Sequence, residues 1–332
     1  MATLYLTEQG SKLGKKSRRL IVEKDNKTLL EVPEFKVDRV LIFGNVQITT
    51  QAIAFLLGNG IETSFLTMQG RLKGRLSPIE SKNVYLRLKQ YERYQDDDFR
   101  LKIAKSIISA KISNSRTILM RYARNHPEID LEESKKRLDD CMRNVESKES
   151  IKSLMGVEGI AASVYFRAYG KMFRRELQFE KRQRRPARDP VNALLSFGYI
   201  LITNEMLSIA CAIGFEPYIG YLHGVDYGRP SLALDMVEEI RHPIIDRLTL
   251  YLINNQILKE DDFEDKSEEG IFLNDEAKKV CFTQFEQYMN KEIETNISPG
   301  KKSYRSLFRL QSHKLMDTIL KDEPYEPYLL KD

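Results

Sequence analysis

Residues Glu62–Pro78 read ETSFLTMQGRLKGRLSP, and how this stretch is taken decides the fold. It has strand character on both sides of a turn at Gln69-Gly70, and it ends at Ser77-Pro78. What precedes it reads the same way. TLYLT, RRLIVEK, KTLLEV and RVLIFG are short, rich in β-branched residues and leucine, and separated by Gly, Asp-Asn and Pro signals. One short helix intervenes, TTQAIAFLLGNG, which Thr49 or Thr50 can cap and Gly58-Asn59-Gly60 ends. After Pro78 the period changes. Phe99, Ile103 and Ile107 recur at i+4 spacing, and Ile108 and Ile112 continue the stripe. Leu131, Leu138, Met142 and Val145 mark a second amphipathic helix, and residues 193–213 a third, more fully buried one. Helices continue to about residue 320, interrupted by the strand-like GIFLND, where Asn274 or Asp275 caps the next helix. The tail DEPYEPYLLKD, with two prolines, reads as irregular. The predicted fold class is α+β: a small, mainly antiparallel N-terminal β-domain over residues 1–78, then a large α-helical domain over residues 79–332.

The bulk numbers set the class. With 332 residues, 42% hydrophobic and 30% charged, the chain has an ordinary globular balance rather than a disordered one. Lys and Arg exceed Asp and Glu by 53 to 48, a mild basic excess whose clustering matters more than its size. Three well-separated cysteines, Cys141, Cys211 and Cys281, argue against a disulfide framework and a thiolate zinc site, and fit a reducing, cytoplasmic compartment. MATLYLTEQG lacks the pattern of a signal peptide. Apolar stretches are broken by charge before membrane-spanning length, so no membrane contact is expected.

The segment Leu154–Phe166, LMGVEGIAASVYF, places one carboxylate, Glu158, between two glycines in the most core-like run in the middle of the chain. An unpaired buried glutamate is costly, so the position asks for a partner. Among the four histidines, His126 and His313 read as surface or capping residues, and His242, before Pro243, as a residue at a bent or restarted helix. His223 differs. It lies between Gly220 and Gly224 in a close-packed turn, just ahead of a helix opened by Pro230-Ser231. That helix carries Asp235, Glu238 and Glu239 beside an apolar stripe of Leu232, Met236 and Ile240. A hydrogen-bonded core histidine and dipole-favoured helix acids are the plain alternatives. If folding joins them, Glu158, His223 and Glu238 supply two carboxylates and an imidazole, a set suited to Mn²⁺ or Mg²⁺ rather than to structural zinc.

A basic run follows. In RRELQFEKRQRRPAR, residues 174–188, Lys181, Arg182, Arg184, Arg185 and Arg188 cluster near Tyr165, Tyr169, Phe173 and Phe179. Arginine forks match phosphate oxygens, and aromatics beside them suit a nucleic-acid backbone. A solvated face partly balanced by Glu176 and Glu180 is the plain alternative.

Four segments in order now resemble a known family. LMGVEGIAASVYF, RRPARDPVNALLSFGYILI, GYLHGVDYGRPSLALDMVEEIRHPIIDRL and SYRSLFRLQSHKL are similar to the motifs of the CRISPR-associated adaptation integrases, the metal-dependent endonucleases of spacer acquisition. The resemblance implies that Glu158, His223 and Glu238 are catalytic and hold the metal, with Asp235 at the family's other acidic position. It implies supporting roles for Tyr165, Asn192 and Arg241, and Glu239 or His242 can stand behind the ligands. It also implies a homodimer formed through the β-domains, assembly of two such dimers on a dimer of the second CRISPR-associated protein, and double-stranded DNA, prespacer and leader–repeat, as substrate. The implied reaction is phosphoryl transfer from the prespacer 3′-hydroxyl. A non-catalytic nucleic-acid scaffold with Glu158 and Glu238 in internal ion pairs is one rival. A hydrolase of a small phosphorylated molecule is another, though it has no need of so wide a basic surface.

Overall fold

Thr49 Oγ1 accepts a hydrogen bond from the Ala52 amide at 3.1 Å and starts the first helix of the chain. The computed structural model describes residues 2–78, 81–174, 179–183 and 186–331, and the chain divides into two compact units, Met1–Glu80 and Ser81–Asp332.

In the first unit the strands are β1 (Ala2–Leu6), β2 (Lys12–Lys16), β3 (Arg19–Lys24), β4 (Lys27–Pro33), β5 (Val37–Phe43) and β6 (Gln47–Ile48). Helix α1 (Thr50–Gly58) then leads to β7 (Glu62–Leu66) and β8 (Leu72–Leu76). They form two four-stranded sheets, ordered β1-β5-β7-β8 and β4-β3-β2-β6. The expected β-rich unit is present, but its pairing is mixed rather than mainly antiparallel. Strand β5 is parallel to both β1 and β7, and β2 is parallel to β6, while β2–β3, β3–β4 and β7–β8 are antiparallel. The reason is α1. A helix between β5 and β7 carries the chain back to the starting edge, which is what a parallel neighbour requires. Leu13, Leu20, Val40, Ile42, Ala52 and Leu56 form the core of this unit.

The second unit is helical: α2 (Val84–Gln95), α3 (Asp97–Asn125), α4 (Glu132–Glu146), α5 (Ile151–Gly170), α6 (Pro190–Ile213), α7 (Ser231–Glu238), α8 (Arg247–Asn254), α9 (Asp275–Met289) and α10 (Tyr304–Lys321). Two short ribbons, Phe263–Asp265 with Ile271–Leu273 and Glu292–Glu294 with Lys301–Ser303, complete it. The apolar stripe from Phe99 to Ile112 is buried as its spacing predicts, and α3 packs on α4 and α5. Helix α6 is long and apolar enough to cross a bilayer, yet most of it is packed inside this unit, where Glu205 pairs with Arg305 at 2.8 Å. Its Gly198 lies so close to Ile245 that a Cβ would meet Ile245 Cγ2 at 2.6 Å. Between α7 and α8 the backbone widens into a π-helix over His242–Asp246 at Pro243, where a bend was expected. The three cysteines are free, and burial pushes the Cys281 thiol up to about 12.

Candidate active site

Helix α5 delivers Glu158. The segment expected to be core is in fact two-faced. Leu154, Val157, Ala161, Val164 and Tyr165 point inward, whereas Met155 and Ile160 are 44% and 56% exposed. Gly156 and Gly159 lie on that open side, with nothing among the described residues within 4 Å of where a Cβ would stand. The run is uniformly small and apolar, so composition could not distinguish a buried helix from one with a bare face. Glu158 sits at the boundary, with its side chain 22% exposed.

The loop Gly220–Gly224 delivers His223. It passes so close to the start of α7 that a Cβ on Gly220 would meet Asp235 Oδ2 at 2.7 Å and the Ser231 carbonyl carbon at 2.8 Å. That approach lets one carboxylate tie the loop down. Asp235 Oδ2 accepts from the Leu222 amide at 2.8 Å, and Oδ1 from the His223 amide at 3.1 Å and from His223 Nδ1 at 2.6 Å. A carboxylate on Nδ1 places a proton there and leaves Nε2 as the edge of the ring turned away from Asp235. Asp235, 1% exposed, thereby anchors the histidine.

One turn along α7, Glu238 is buried. Its Oε1 accepts from Arg241 Nη1 at 2.9 Å, and its Oε2 lies 2.7 Å from Lys111 Nζ. The Lys111 contact is a short ion pair that takes up the second oxygen of the carboxylate. Burial alone would raise this carboxyl. Arg241, Lys111 and His223 outweigh it and hold the group well below the ordinary carboxylate range. Lys111, on α3 and 3% exposed, also contacts Glu158 Oε1, so one ammonium joins the two carboxylates. Among the described residues, no three His, Cys, Asp or Glu side chains are close enough to hold a metal ion as they stand. The donor types nevertheless suit one: two carboxylate oxygens now on an ammonium, and an imidazole held by Asp235 through Nδ1 alone.

Lys111 was missed from the sequence. Its signal is a lysine continuing the Phe99–Ile103–Ile107 spacing, where an apolar residue is due. The expected supporting residues lie behind the site. Arg241 stacks over Tyr199 at 5.2 Å and donates to His242 Nε2, while His242 stacks on Tyr165 at 4.6 Å. Burial and the neighbouring Arg241 and Lys111 push the His242 imidazole well below its ordinary range, so it stays neutral. Glu239 faces the other way. It accepts from Gln311, from the Tyr325 hydroxyl and from the Tyr328 amide, and so fastens the C-terminal tail. Asn192 is fully buried and binds the 181–183 loop to the start of α6 through Lys181 O, Gln183 N and Arg182.

The basic run splits. Lys181 and Arg188 are exposed. Arg182 turns inward instead, donating to Asn192 at 2.7 Å and to Ser196 at 3.0 Å and stacking over Tyr199. Arg184 and Arg185 lie outside the described residues.

Residues 4–287 match the family model of the CRISPR associated protein Cas1. The chain belongs to the Cas1 family. It is 33% identical over 328 residues to a CRISPR-associated endonuclease Cas1 of Thermus thermophilus, covering 98% of this chain and 95% of that one. The structure of a Cas1 protein from Thermotoga maritima aligns with a TM-score of 0.84 at 29% identity, covering 98% and 99% of the two chains. The Cas1 fold recurs at lower identity. A casposase bound to its integration product gives a TM-score of 0.85 at 23% identity over 97% of this chain and 92% of that one. A Cas6-RT-Cas1–Cas2 complex gives 0.82 at 24% identity over 100% of this chain and 36% of that one.

Proposed function

We propose that this chain is a metal-dependent DNA endonuclease and integrase that joins short DNA fragments to a CRISPR array. The carrying observation is the pairing of Glu158 and Glu238 through Lys111, with Glu238 also feeling the charge of a histidine whose Nδ1 is pinned by Asp235. Membership of a family whose relatives are named endonucleases supports it. Glu158, His223 Nε2 and Glu238 would hold Mn²⁺ or Mg²⁺, which when bound polarises a phosphate and offsets charge on the leaving oxygen. The rest of the work falls to the chain. Asp235 keeps the imidazole in one orientation. Arg241 holds Glu238 ionised. Lys181 and Arg188 offer exposed cations to the DNA backbone. The open face at Gly156 and Gly159 leaves room for the strand beside Glu158. In integration, the 3′-hydroxyl oxygen of the incoming strand forms a bond to phosphorus as the target strand's P–O3′ bond breaks. In cleavage, water takes the place of the hydroxyl.

A homodimer working with a Cas2 dimer on prespacer and leader–repeat DNA is the assembly that fits this reading. The Cas1–Cas2 complex with the same fold supports it. Glu158→Ala and His223→Ala are expected to abolish strand joining while leaving duplex DNA affinity near that of the wild type. Normal joining by either variant would refute the assignment. A second reading, a non-catalytic DNA scaffold, is favoured by the ion pairs of Glu238 with Arg241 and of both carboxylates with Lys111. Mn²⁺ binding that is lost in His223→Ala separates the two readings, since a scaffold has no ion to lose.

A further inference from the structure

Lys111 is a lysine where the fold offers least water. Its side chain is 3% exposed, and it enters from α3 between a carboxylate of α5 and one of α7. A buried ammonium is stable only when paired. Here it is paired twice, and with particular oxygens. Glu238 uses Oε1 for Arg241, and Lys111 stands against the other oxygen, Oε2. On Glu158 it touches Oε1. The two lysine contacts thus cover one oxygen of each carboxylate named as a metal ligand above. Without a cation between them, two ionised carboxylates turned to one point repel.

We propose that Lys111 is an internal counter-ion that holds Glu158 and Glu238 together before the divalent ion arrives and competes with that ion for them. The inference rests on the metal reading of the site. An ammonium and a dication on the same oxygens repel each other, so loading requires Lys111 to give up at least one carboxylate. The room to do so lies on the side of Glu158, which is 22% exposed against 7% for Glu238. Lys111 therefore sets a threshold. It keeps the pocket assembled and charge-balanced in the free protein, and it weakens the pocket's affinity for the ion that activates it.

The test uses the full chain as wild type, Lys111→Met, Lys111→Gln and His223→Ala. Mn²⁺ binding is measured by calorimetry, and the melting temperature in EDTA and in saturating Mn²⁺. Both Lys111 variants are expected to melt below the wild type in EDTA, to bind Mn²⁺ about ten-fold more tightly, and to gain more melting temperature from Mn²⁺. A lysine with a merely structural role predicts weaker binding instead. Mn²⁺ affinity equal to or below that of the wild type in both variants, or failure of both to fold even in Mn²⁺, overturns the proposal. If the wild type binds no Mn²⁺, or His223→Ala binds it equally well, the metal reading has failed and the competition falls with it. Binding that needs His223 but ignores Lys111 defeats the competition alone.

Discussion

Asp235 accepts from His223 Nδ1 at 2.6 Å while also accepting the backbone amides of Leu222 and His223. One buried carboxylate thus fixes the position and orientation of the histidine. Asp235→Asn keeps the shape but replaces a carboxylate oxygen with an amide. The expected result is a loss of about 10- to 100-fold in Mn²⁺ affinity, with duplex DNA affinity unchanged in an EDTA binding assay. Unaltered Mn²⁺ binding would show that the ring needs no anchor.

The open side of α5 offers a different test. Glycine inside a helix costs about 0.5–1 kcal/mol relative to alanine, and among the described residues nothing lies within 4 Å of a Cβ built at Gly156 or Gly159. Gly159→Ala should therefore raise the melting temperature. Gly159→Leu should remain folded but lose about ten-fold or more in DNA cleavage, because it displaces the strand from Glu158. Full cleavage by the leucine variant would show that DNA does not use this face.

The tail is expected to bolt the site together. Tyr328 is fully buried, its amide donates to Glu239 Oε2 at 2.7 Å, and its carbonyl accepts from Asn114 at 2.9 Å. Asn114 also donates to the Glu239 carbonyl. The tail therefore joins α3, which carries Lys111, to the residue following Glu238. Ending the chain after Lys321 should lower the melting temperature and speed amide exchange in α7. Burying one large apolar side chain is itself worth about 1.5–3 kcal/mol. Unchanged exchange in α7 would contradict the role.

Asp246 supplies the pH test. Burial raises its carboxyl from 3.8 to about 7, against the opposing pull of the Tyr199 hydroxyl and Arg241. The folded chain therefore holds this proton more tightly than the unfolded chain. The stability that follows is fully present below the unfolded value of 3.8 and is lost as pH rises towards 7. Asp246→Asn is expected to remove this part of the pH dependence. The melting temperature of the variant relative to the wild type should climb between pH 4 and pH 7. A difference independent of pH would contradict the assignment.

What the sequence revealed depended on the range of the interactions involved. Helix α1 could be read because Thr49 and Asn59-Gly60 act locally, and the bend at Pro243 because proline has no amide hydrogen. The parallel pairs could not, since a strand's partners are chosen across the chain. Glu158, His223 and Glu238 were singled out through the motifs around them, and the structure brings Glu158 and Glu238 onto one ammonium. Lys111 was not, because its meaning lies in α5 and α7, 47 residues away from Glu158 and further from Glu238. Arg182 is placed differently from its neighbours Lys181 and Arg188. Its charge placed it on a phosphate surface, whereas Asn192 and Ser196 draw it inward.

The central claim is that Glu158, His223 and Glu238 form one divalent-cation site. Anomalous scattering at the manganese edge from a crystal soaked in Mn²⁺ tests it most directly. The account predicts a single strong peak within ligand distance of Glu158, His223 Nε2 and Glu238, with Lys111 withdrawn from at least one carboxylate. No peak there, with Lys111 still joining Glu158 to Glu238 at saturating Mn²⁺, would contradict it.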